Sequence, residues 1–141
     1  MPRTALVDAG PIVAFLQTTD QWHDWSVQQF KIFPVFVTCE AVIAEACARV
    51  CYQGNDQNRV LELVLNGSLI LDFAATKSIE RISRLMKKYS DQPMDFADAC
   101  LVAMSEQIRQ SFVVTLDRED FSIYRRHERE VIPLVAPELR R

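Results

Sequence analysis

Residues 4–11 of the chain, Thr-Ala-Leu-Val-Asp-Ala-Gly-Pro, contain a short apolar run, an aspartate and a proline in that order. The run at 4–7 has the length and the composition of a buried β-strand. Pro11 then stands in the first turn of a helix, where its missing N–H group costs little. The segment therefore predicts a strand, a turn at Asp8 and a helix, which together begin a β/α unit.

The same alternation of apolar runs and helical segments continues along the chain. Further strands are predicted at 35–37, 69–71, 112–115 and 131–132. Helices are predicted between the strands, at about 10–17, 21–32, 39–53, 57–66, 76–89 and 95–110. Continuous apolar strands separated by helices are typical of a parallel sheet that is buried on both faces. The predicted fold class is α/β, a three-layer α/β/α domain with a central parallel sheet of about five strands.

The composition restricts the classes of protein to which the chain can belong. It has 141 residues, of which 49% are apolar and 25% are charged, and this balance is typical of one soluble globular domain. No apolar run reaches the roughly 18–20 residues of a membrane-spanning helix, and the first 17 residues lack the continuous apolar segment of a signal peptide. We expect a single domain over residues 1–141, a cytoplasmic location and no membrane association.

Four acidic residues either follow predicted strands or lie in apolar helices. Asp8 ends the first strand and Asp117 lies just after the fourth, so right-handed crossovers place both carboxylates at one edge of the sheet. Glu45 and Asp98 lie in apolar helical segments, and the residues around Asp98 imply burial. A buried carboxylate is unfavourable unless it is paired or bound to a metal. We therefore expect the four carboxylates to converge on a cation.

Converging carboxylates raise one another's pKa values unless a divalent ion neutralises them. Oxygen ligands without histidine or cysteine favour Mg²⁺ or Mn²⁺ over zinc. Such a site suits phosphodiester hydrolysis, because the ion lowers the pKa of a bound water and binds the phosphate oxygens. Thr115 and Thr38 are candidates for orienting ligands or water through hydrogen bonds.

Each acid also has a purely structural interpretation. Asp8 and Asp95 stand where helix N-caps are expected, and Asp98 lies in the first turn after Asp95. Glu45 can pair with Arg49 one helical turn later, and Asp117 can open a turn. The coincidence of four acids at one predicted sheet edge favours the metal site over four unrelated structural roles.

In order along the chain, the acids and their flanking residues resemble the PIN-domain family. The matching motifs are Leu6-Val-Asp8, Glu45 in the third helix, Asp98-Ala-Cys-Leu-Val-Ala, and Thr115-Leu-Asp117-Arg-Glu-Asp-Phe121. Their spacing and the total length are similar to those of the VapC-type toxins of bacterial and archaeal toxin–antitoxin pairs. The resemblance covers essentially the whole chain and implies a Mg²⁺- or Mn²⁺-dependent endoribonuclease with a parallel sheet and helices on both faces.

The resemblance also assigns roles by position. The residues that match the metal-site acids of the family are Asp8, Glu45, Asp98 and, at the less uniform fourth position, Asp117. Asp95 and Asp120 fit further positions where the family often has an acid. The family often has Ser, Thr or Asn after its first aspartate, whereas Ala9 has no side-chain oxygen, so a water or Thr115 would have to fill that place. An RNA substrate, a homodimer and a cognate antitoxin are implied as well.

Two surfaces are candidates for binding partners. A basic stripe is formed at helical spacing by Lys77, Arg81, Arg84 and Lys88. An RNA backbone can lie along this basic stripe, although an ordinary solvated helix face explains it too.

Residues 11–33 carry six large apolar side chains, including Trp22 and Trp25, more than two short helices need to cover one side of a sheet. We expect them either to leave a surface for a partner helix or a second copy of the chain, or to be core residues.

Two other functions stay open from the sequence. A phosphatase that uses Asp8 as its nucleophile would also have an aspartate after the first strand. The second aspartate expected two residues later is absent, since Gly10 stands there. The non-enzymatic alternative is a catalytically inactive PIN-like module that holds RNA or a protein. The presence of all four acids argues against that alternative.

Overall fold

The structure, a computed structural model, describes residues 3–138 of the chain. Its strands are β1 Thr4–Val7, β2 Phe36–Thr38, β3 Leu69–Leu71, β4 Ser111–Val114, β5 Arg125–Arg126, β6 Glu130–Val131 and β7 Leu134–Val135. Its helices are α1 Ala9–Leu16, α2 His23–Ile32, α3 Glu40–Tyr52, α4 Asn58–Leu65, α5 Ile79–Lys88, α6 Phe96–Gln107 and α7 Arg118–Ile123. Within residues 3–138, no helix has the length and hydropathy that crossing a bilayer requires.

Five strands form one parallel sheet in the order β3, β2, β1, β4, β7. β1 lies at its centre, where Leu6 is paired with Val37 on one side and with Val113 on the other. Nearly every residue of β1 and β4 is buried, because helices cover both faces of the sheet. The α/β fold with about five parallel strands, predicted from the sequence, is confirmed.

The fifth strand of the sheet lies elsewhere than predicted. A strand is present at the predicted position, since Val131 belongs to β6, but its assignment to the parallel sheet is wrong, because β6 pairs with β5 in a separate antiparallel hairpin. The sheet strand is β7, and the Val113 N–H donates to the Pro133 carbonyl at 2.9 Å. The buried side chain of Ile132 gives this segment a strand-like apolar pattern. Pro133 has no N–H to donate and separates the hairpin from the sheet strand.

Three helices begin at an aspartate that acts as an N-cap. The Asp8 Oδ1 atom accepts the N–H of the next residue at 2.8 Å, where α1 begins. Asp95 and Asp98 form a reciprocal capping box at the start of α6, with N–O distances of 2.8 and 3.2 Å. Asp117 accepts the N–H of Asp120 at 3.2 Å and begins α7. The capping roles expected for Asp8 and Asp95, and the first-turn position of Asp98, are therefore correct, whereas Asp117, which was expected to open a turn, caps a helix.

Residues 11–33 contribute mainly to the core. Phe15 and Phe30 stack with their ring centroids 4.1 Å apart, and Trp25 packs against the buried cluster between the sheet and the helices. Trp22 is half-buried. The structure therefore favours the core interpretation of these side chains over an exposed docking surface.

Ion pairs attach the β5–β6 hairpin to α5 and α6. Arg81 donates from Nε and Nη2 to the two carboxylate oxygens of Glu106, at 2.8 and 2.7 Å, and from Nη1 to Glu128 at 2.7 Å. Lys88 pairs with Glu128 at 3.3 Å. The side chains of Arg81 and Glu106 are only 19% and 11% exposed, so water screens this pair weakly.

The predicted basic stripe is interrupted by these ion pairs. Arg81 and Lys88 are bound to acids that are distant in the sequence, so their charges are largely compensated. Lys77 and Arg84 are exposed beside a groove of about 410 Å³. The prediction of a continuous stripe of four available cations is therefore wrong. Helical spacing does not reveal acids that approach a helix from other elements.

Replacing Glu106 with Gln is expected to lower the free energy of unfolding by about 2–3 kcal/mol at pH 7, because the Arg81 guanidinium loses a charged, half-buried partner. Burial opposes ionisation of Glu106, but Arg81 outweighs it and holds the pKa of that carboxyl below its ordinary value. The pair therefore stabilises the fold above the ordinary glutamate pKa, and its contribution is lost as the pH falls through the lowered value. Urea unfolding at pH 7 and in acid measures both effects.

The matched control is Glu130→Gln, which breaks an ion pair of the same hairpin. Glu130 binds Arg126 at 2.7 Å, but its side chain is 61% exposed. We expect the free energy of unfolding to change by less than about 0.5 kcal/mol. Equal losses in the two variants would contradict the importance assigned to the Arg81–Glu106 pair.

Candidate active site

An acidic cleft of about 360 Å³ opens at the carboxyl ends of β1 and β4. It is lined by Asp8, Gly10, Glu45, Arg49, Pro93, Asp95, Asp98, Leu116, Asp117 and Asp120. All four acids that were predicted to converge are among these residues. The edge at which they lie is the one where parallel α/β sheets bind ligands. Six carboxylates and one guanidinium thus face a single space.

Asp8 is held at the base of the acidic cleft by the end of β4. It is 8% exposed, and its Oδ2 atom accepts the hydroxyl of Thr115 at 2.9 Å. The Thr115 oxygen in turn accepts the N–H of Asp117 at 2.9 Å. One buried threonine therefore connects two strand ends and orients Asp8. It supplies a hydroxyl beside Asp8, which Ala9 cannot do.

Thr38 lies outside the acidic cleft. Its hydroxyl donates to the Val7 carbonyl at 2.8 Å, and its side chain is fully buried. The prediction that Thr38 orients a ligand or a water is therefore wrong. A threonine at a strand end can satisfy a neighbouring backbone carbonyl equally well, and here it connects β2 to β1.

Asp98 is half-buried, in contrast to the burial predicted for it. Most residues around it in α6 are buried, but its carboxylate borders the acidic cleft. Burial, followed by the charges of Asp95 and Asp8, raises the pKa of Asp98 to about 8. The carboxyl group therefore retains a proton at neutral pH unless a positive charge approaches it.

Glu45 and Asp8 have raised pKa values for the same two reasons. Burial is the larger cause at both residues, and the charges of neighbouring aspartates add to it. Arg49 opposes the shift at Glu45, to which it is joined by an Nη1–Oε2 contact of 3.6 Å. The proposed ion pair of Glu45 with Arg49 is therefore present, and both residues line the acidic cleft.

The start of α7 forms another wall, and no helix was predicted there. A hydrogen bond with Asp117 and then burial raise the pKa of Asp120 to about 6.

Tyr124 follows α7 and is fully buried, and within residues 3–138 its hydroxyl finds no hydrogen-bond partner. Burial, followed by the charge of Asp98, raises the pKa of Tyr124. The signal for α7 was the spacing of Asp117 and Asp120, which repeats the capping spacing at the start of α6.

The donor chemistry of the acidic cleft fits a hard divalent cation. Its candidate ligands are carboxylates, which Mg²⁺ and Mn²⁺ prefer. The pKa values of Asp8, Glu45 and Asp98 are raised by burial first and by the charges of neighbouring acids second, and a cation would offset both effects. In the described part of the chain, no three acidic, histidine or cysteine side chains already stand as a set that could hold one ion. Four of the aspartates instead accept backbone N–H groups at helix N-termini, and ion binding requires some of the side chains to turn.

The fold and the acidic cleft together define a class of α/β domain that collects carboxylates at the carboxyl edge of a parallel sheet. The family model of the PIN domain matches residues 5–126, which include every acid of the acidic cleft. The chain belongs to the PIN-domain family. The resemblance found in the sequence is thereby confirmed.

Two proteins of Mycobacterium tuberculosis are similar to the chain. Ribonuclease VapC26, of strain ATCC 25618 / H37Rv, is 35% identical over 66 residues, which are 47% of this chain and 49% of VapC26. The match thus spans about half of that relative. The crystal structure of VapC20, described as a sarcin–ricin loop cleaving toxin, has a TM-score of 0.73 at 14% identity and covers 82% of this chain and 92% of its own. At this identity the structural likeness shows the fold alone.

Replacing Thr115 with Val removes the hydroxyl that stabilises the charged form of Asp8 while keeping the shape of the side chain. We expect the pKa of Asp8 to rise further above its ordinary value, because a donor to the carboxylate is lost. Carboxyl ¹³C NMR titration in EDTA measures this pKa. Thr38→Val is the matched control, since it removes a buried hydroxyl that contacts a backbone carbonyl instead.

Both threonine variants are expected to lose about 1–2 kcal/mol of unfolding free energy. Only Thr115→Val should change the titration of Asp8. An unchanged Asp8 pKa in Thr115→Val, or an equal shift in both variants, would contradict the orienting role of Thr115.

The raised pKa of Asp98 makes the fold less stable as the pH rises in EDTA. The folded chain binds more protons than the unfolded chain between the ordinary aspartate pKa of about 3.9 and the folded value of about 8, so stability declines through this range. Asp98→Asn removes that decline. Because water screens a half-exposed carboxylate, we expect the variant to be more stable than the wild type by about 1 kcal/mol at pH 8. Urea unfolding at pH 5 and pH 8 tests this, and a difference independent of pH would refute it.

Proposed function

We propose that this chain is a divalent-metal-dependent endoribonuclease, which hydrolyses phosphodiester bonds of RNA. The observation that carries the proposal is the meeting of Asp8, Glu45, Asp98 and Asp117 in one cleft of a PIN domain. The relatives agree with it, because one is a ribonuclease and the other is described as a toxin that cleaves the sarcin–ricin loop.

The residues at the acidic cleft have two roles, since some would bind the ion and others orient the side chains that bind it. Asp8 and Asp98 would hold Mg²⁺ or Mn²⁺ most directly, and Glu45 and Asp117 would complete the set. A bound ion supplies a water of lowered pKa and neutralises charge on the phosphate. Thr115 keeps the Asp8 carboxylate in a defined orientation through its hydrogen bond, so that less reorganisation is needed when substrate binds. Asp95 and Asp120 add negative charge at the rim.

The capping bonds of these aspartates are compatible with ion binding. A carboxylate has about four lone-pair sites, and Asp98 uses its Oδ2 atom for the Asp95 N–H. Asp117 uses its Oδ1 atom for the Asp120 N–H. Each carboxylate can therefore remain a cap and still offer an oxygen to a cation, after a rotation of its side chain.

We further propose that the chain is the toxin of a toxin–antitoxin pair and forms a homodimer. The support is the description of VapC20 as a toxin, together with apolar side chains at the surface of the fold. Leu65 of α4 is 85% exposed and Ile70 of the edge strand β3 is 45% exposed. Helix α4 packs against β3, so these side chains are candidates for one contiguous apolar patch of the kind that binds a protein partner. A small DNA-binding protein encoded beside this chain would identify the antitoxin.

The nuclease proposal predicts RNA cleavage in Mg²⁺ or Mn²⁺ that depends on the acidic cleft. We expect Asp8→Asn and Asp98→Asn each to lower the cleavage rate at least about 100-fold, which corresponds to about 2.7 kcal/mol of transition-state stabilisation. Asp72→Asn is the matched control, because Asp72 follows strand β3 of the same sheet but does not line the acidic cleft. Gel analysis of labelled RNA measures the rate, and urea unfolding verifies that each variant folds.

Activity that survives both substitutions, or that disappears equally in Asp72→Asn, would refute the proposal. An inactive binding module would show no divalent-ion binding by calorimetry while it retains RNA or a protein. A phosphatase would form an aspartyl-phosphate at Asp8. That alternative lacks its second aspartate, because Gly10 stands at the position, and a Cβ atom there would lie 3.1 Å from the Leu116 side chain.

A further inference from the structure

The acidic cleft contains one group that could attract an anion. Of the described residues that line it, Arg49 alone is basic, whereas six carry carboxylates. RNA is a polyanion, so a cleft with this composition repels its backbone wherever the carboxylates are not neutralised. A fixed positive charge inside the acidic cleft therefore bears directly on how a phosphate can approach.

The Arg49 guanidinium of α3 is held much more loosely than Arg81 and Arg126, the arginines that form ion pairs at the β5–β6 hairpin. Arg81 makes three contacts of 2.7–2.8 Å to carboxylates, and Arg126 binds Glu130 at 2.7 Å and the Ser111 carbonyl at 3.2 Å. The Arg49 side chain is 46% exposed, and its 3.6 Å contact with Glu45 is longer than a hydrogen bond. Its donors therefore remain available to a ligand, which is not true of Arg81.

Helix α3 gives Arg49 a defined position despite this loose pairing. Val42, Ala46 and Val50 fix the helix because they are buried in the core. Glu45 and Arg49 lie one turn apart on α3, and both border the acidic cleft. A phosphate bound by Arg49 would therefore lie next to the carboxylate set rather than on a remote surface.

We propose that Arg49 binds a phosphate group of the RNA backbone within the acidic cleft and so positions the strand against the carboxylates. A guanidinium suits this role, because its planar donors can bind two phosphate oxygens at once. The inference rests on the proposed nuclease function and adds a residue that recognises the substrate. Arg49 and the carboxylates then have separate tasks, since one binds the anion and the others bind the cation.

The test measures binding of a labelled single-stranded RNA of mixed sequence by fluorescence anisotropy, in Ca²⁺, over a series of salt concentrations. Arg49→Gln is expected to weaken binding about tenfold and to reduce the slope of log K against log salt by about one, as loss of one phosphate contact should. Arg49→Lys should restore the slope but only part of the affinity, because lysine lacks the planar pair of donors. Arg59→Gln is the matched control, an exposed arginine of α4 that does not line the acidic cleft.

A second measurement, compared with the salt slope of RNA binding, separates phosphate binding from simple charge balance at Glu45. Calorimetric titration with Mn²⁺ should give an affinity in Arg49→Gln equal to or higher than that of the wild type, because a positive charge near the carboxylates has been removed. If Arg49 served only to balance Glu45, Arg49→Gln would change Mn²⁺ affinity and leave the salt slope of RNA binding unaltered. That result would overturn the proposal.

The outcomes also distinguish this inference from the proposed function. A wild type that binds RNA with an Arg49-dependent salt slope, but cleaves none in Mg²⁺ or Mn²⁺, would refute the nuclease and support the role of Arg49. A wild type that cleaves RNA while Arg49→Gln binds it within twofold of the wild type would refute the role of Arg49 alone. Absence of RNA binding by the wild type in Ca²⁺ would refute the role of Arg49, whereas absence of cleavage in Mg²⁺ or Mn²⁺ would refute the nuclease.

Discussion

The parallel pairing of β1 with β4 is the constraint on which the rest of the site depends. Four consecutive residue pairs join the two strands, and the Asp8 N–H then donates to the Val114 carbonyl at 3.0 Å. This register brings the Thr115 hydroxyl to Asp8, although the two residues are 107 positions apart in the sequence. A shift of one residue would turn these side chains to the opposite faces of the sheet. Burial of both strands between helices makes such a shift unfavourable.

The acidic cleft balances two opposing electrostatic effects. Helices α1 and α6 begin at its edge, and the partial positive charge of a helix N-terminus stabilises a nearby carboxylate by about 0.3–1 kcal/mol. Burial and mutual repulsion act in the other direction, and they prevail at Asp8 and Asp98, since the pKa values of both are raised. The helix N-termini thus lower the cost of placing several carboxylates close together, but they do not compensate the negative charge fully. A cation bound at the site would therefore be stabilised.

Residues whose environment is set by local pattern were predictable, and residues whose partners come from distant elements were not. The central strands and the acids that follow them were predictable, because buried parallel strands are apolar runs and right-handed crossovers fix which strand ends share an edge. The segment 131–132 was assigned to the wrong sheet, because the buried side chain of Ile132 gives an apolar pattern to a connection between two sheets. The prediction of a continuous basic stripe was wrong, because Glu106 and Glu128 contact Arg81 from other elements. Helical spacing carries no information about such contacts.

The distribution of charge limits how the fold can recognise a nucleic acid. Lysine and arginine number 16 against 19 acids in the whole chain, and Arg81, Lys88 and Arg126 are engaged in ion pairs. Within residues 3–138, part of the positive charge that could attract a nucleic acid is therefore already compensated by acids of the chain itself. If the proposed function is correct, binding of an RNA strand would depend on a few local contacts, which the carboxylates of the acidic cleft, through a bound cation, and the Arg49 guanidinium would supply. Under that proposal, recognition and hydrolysis would take place in the same small cleft, since the groups that neutralise the RNA backbone would also position it for reaction.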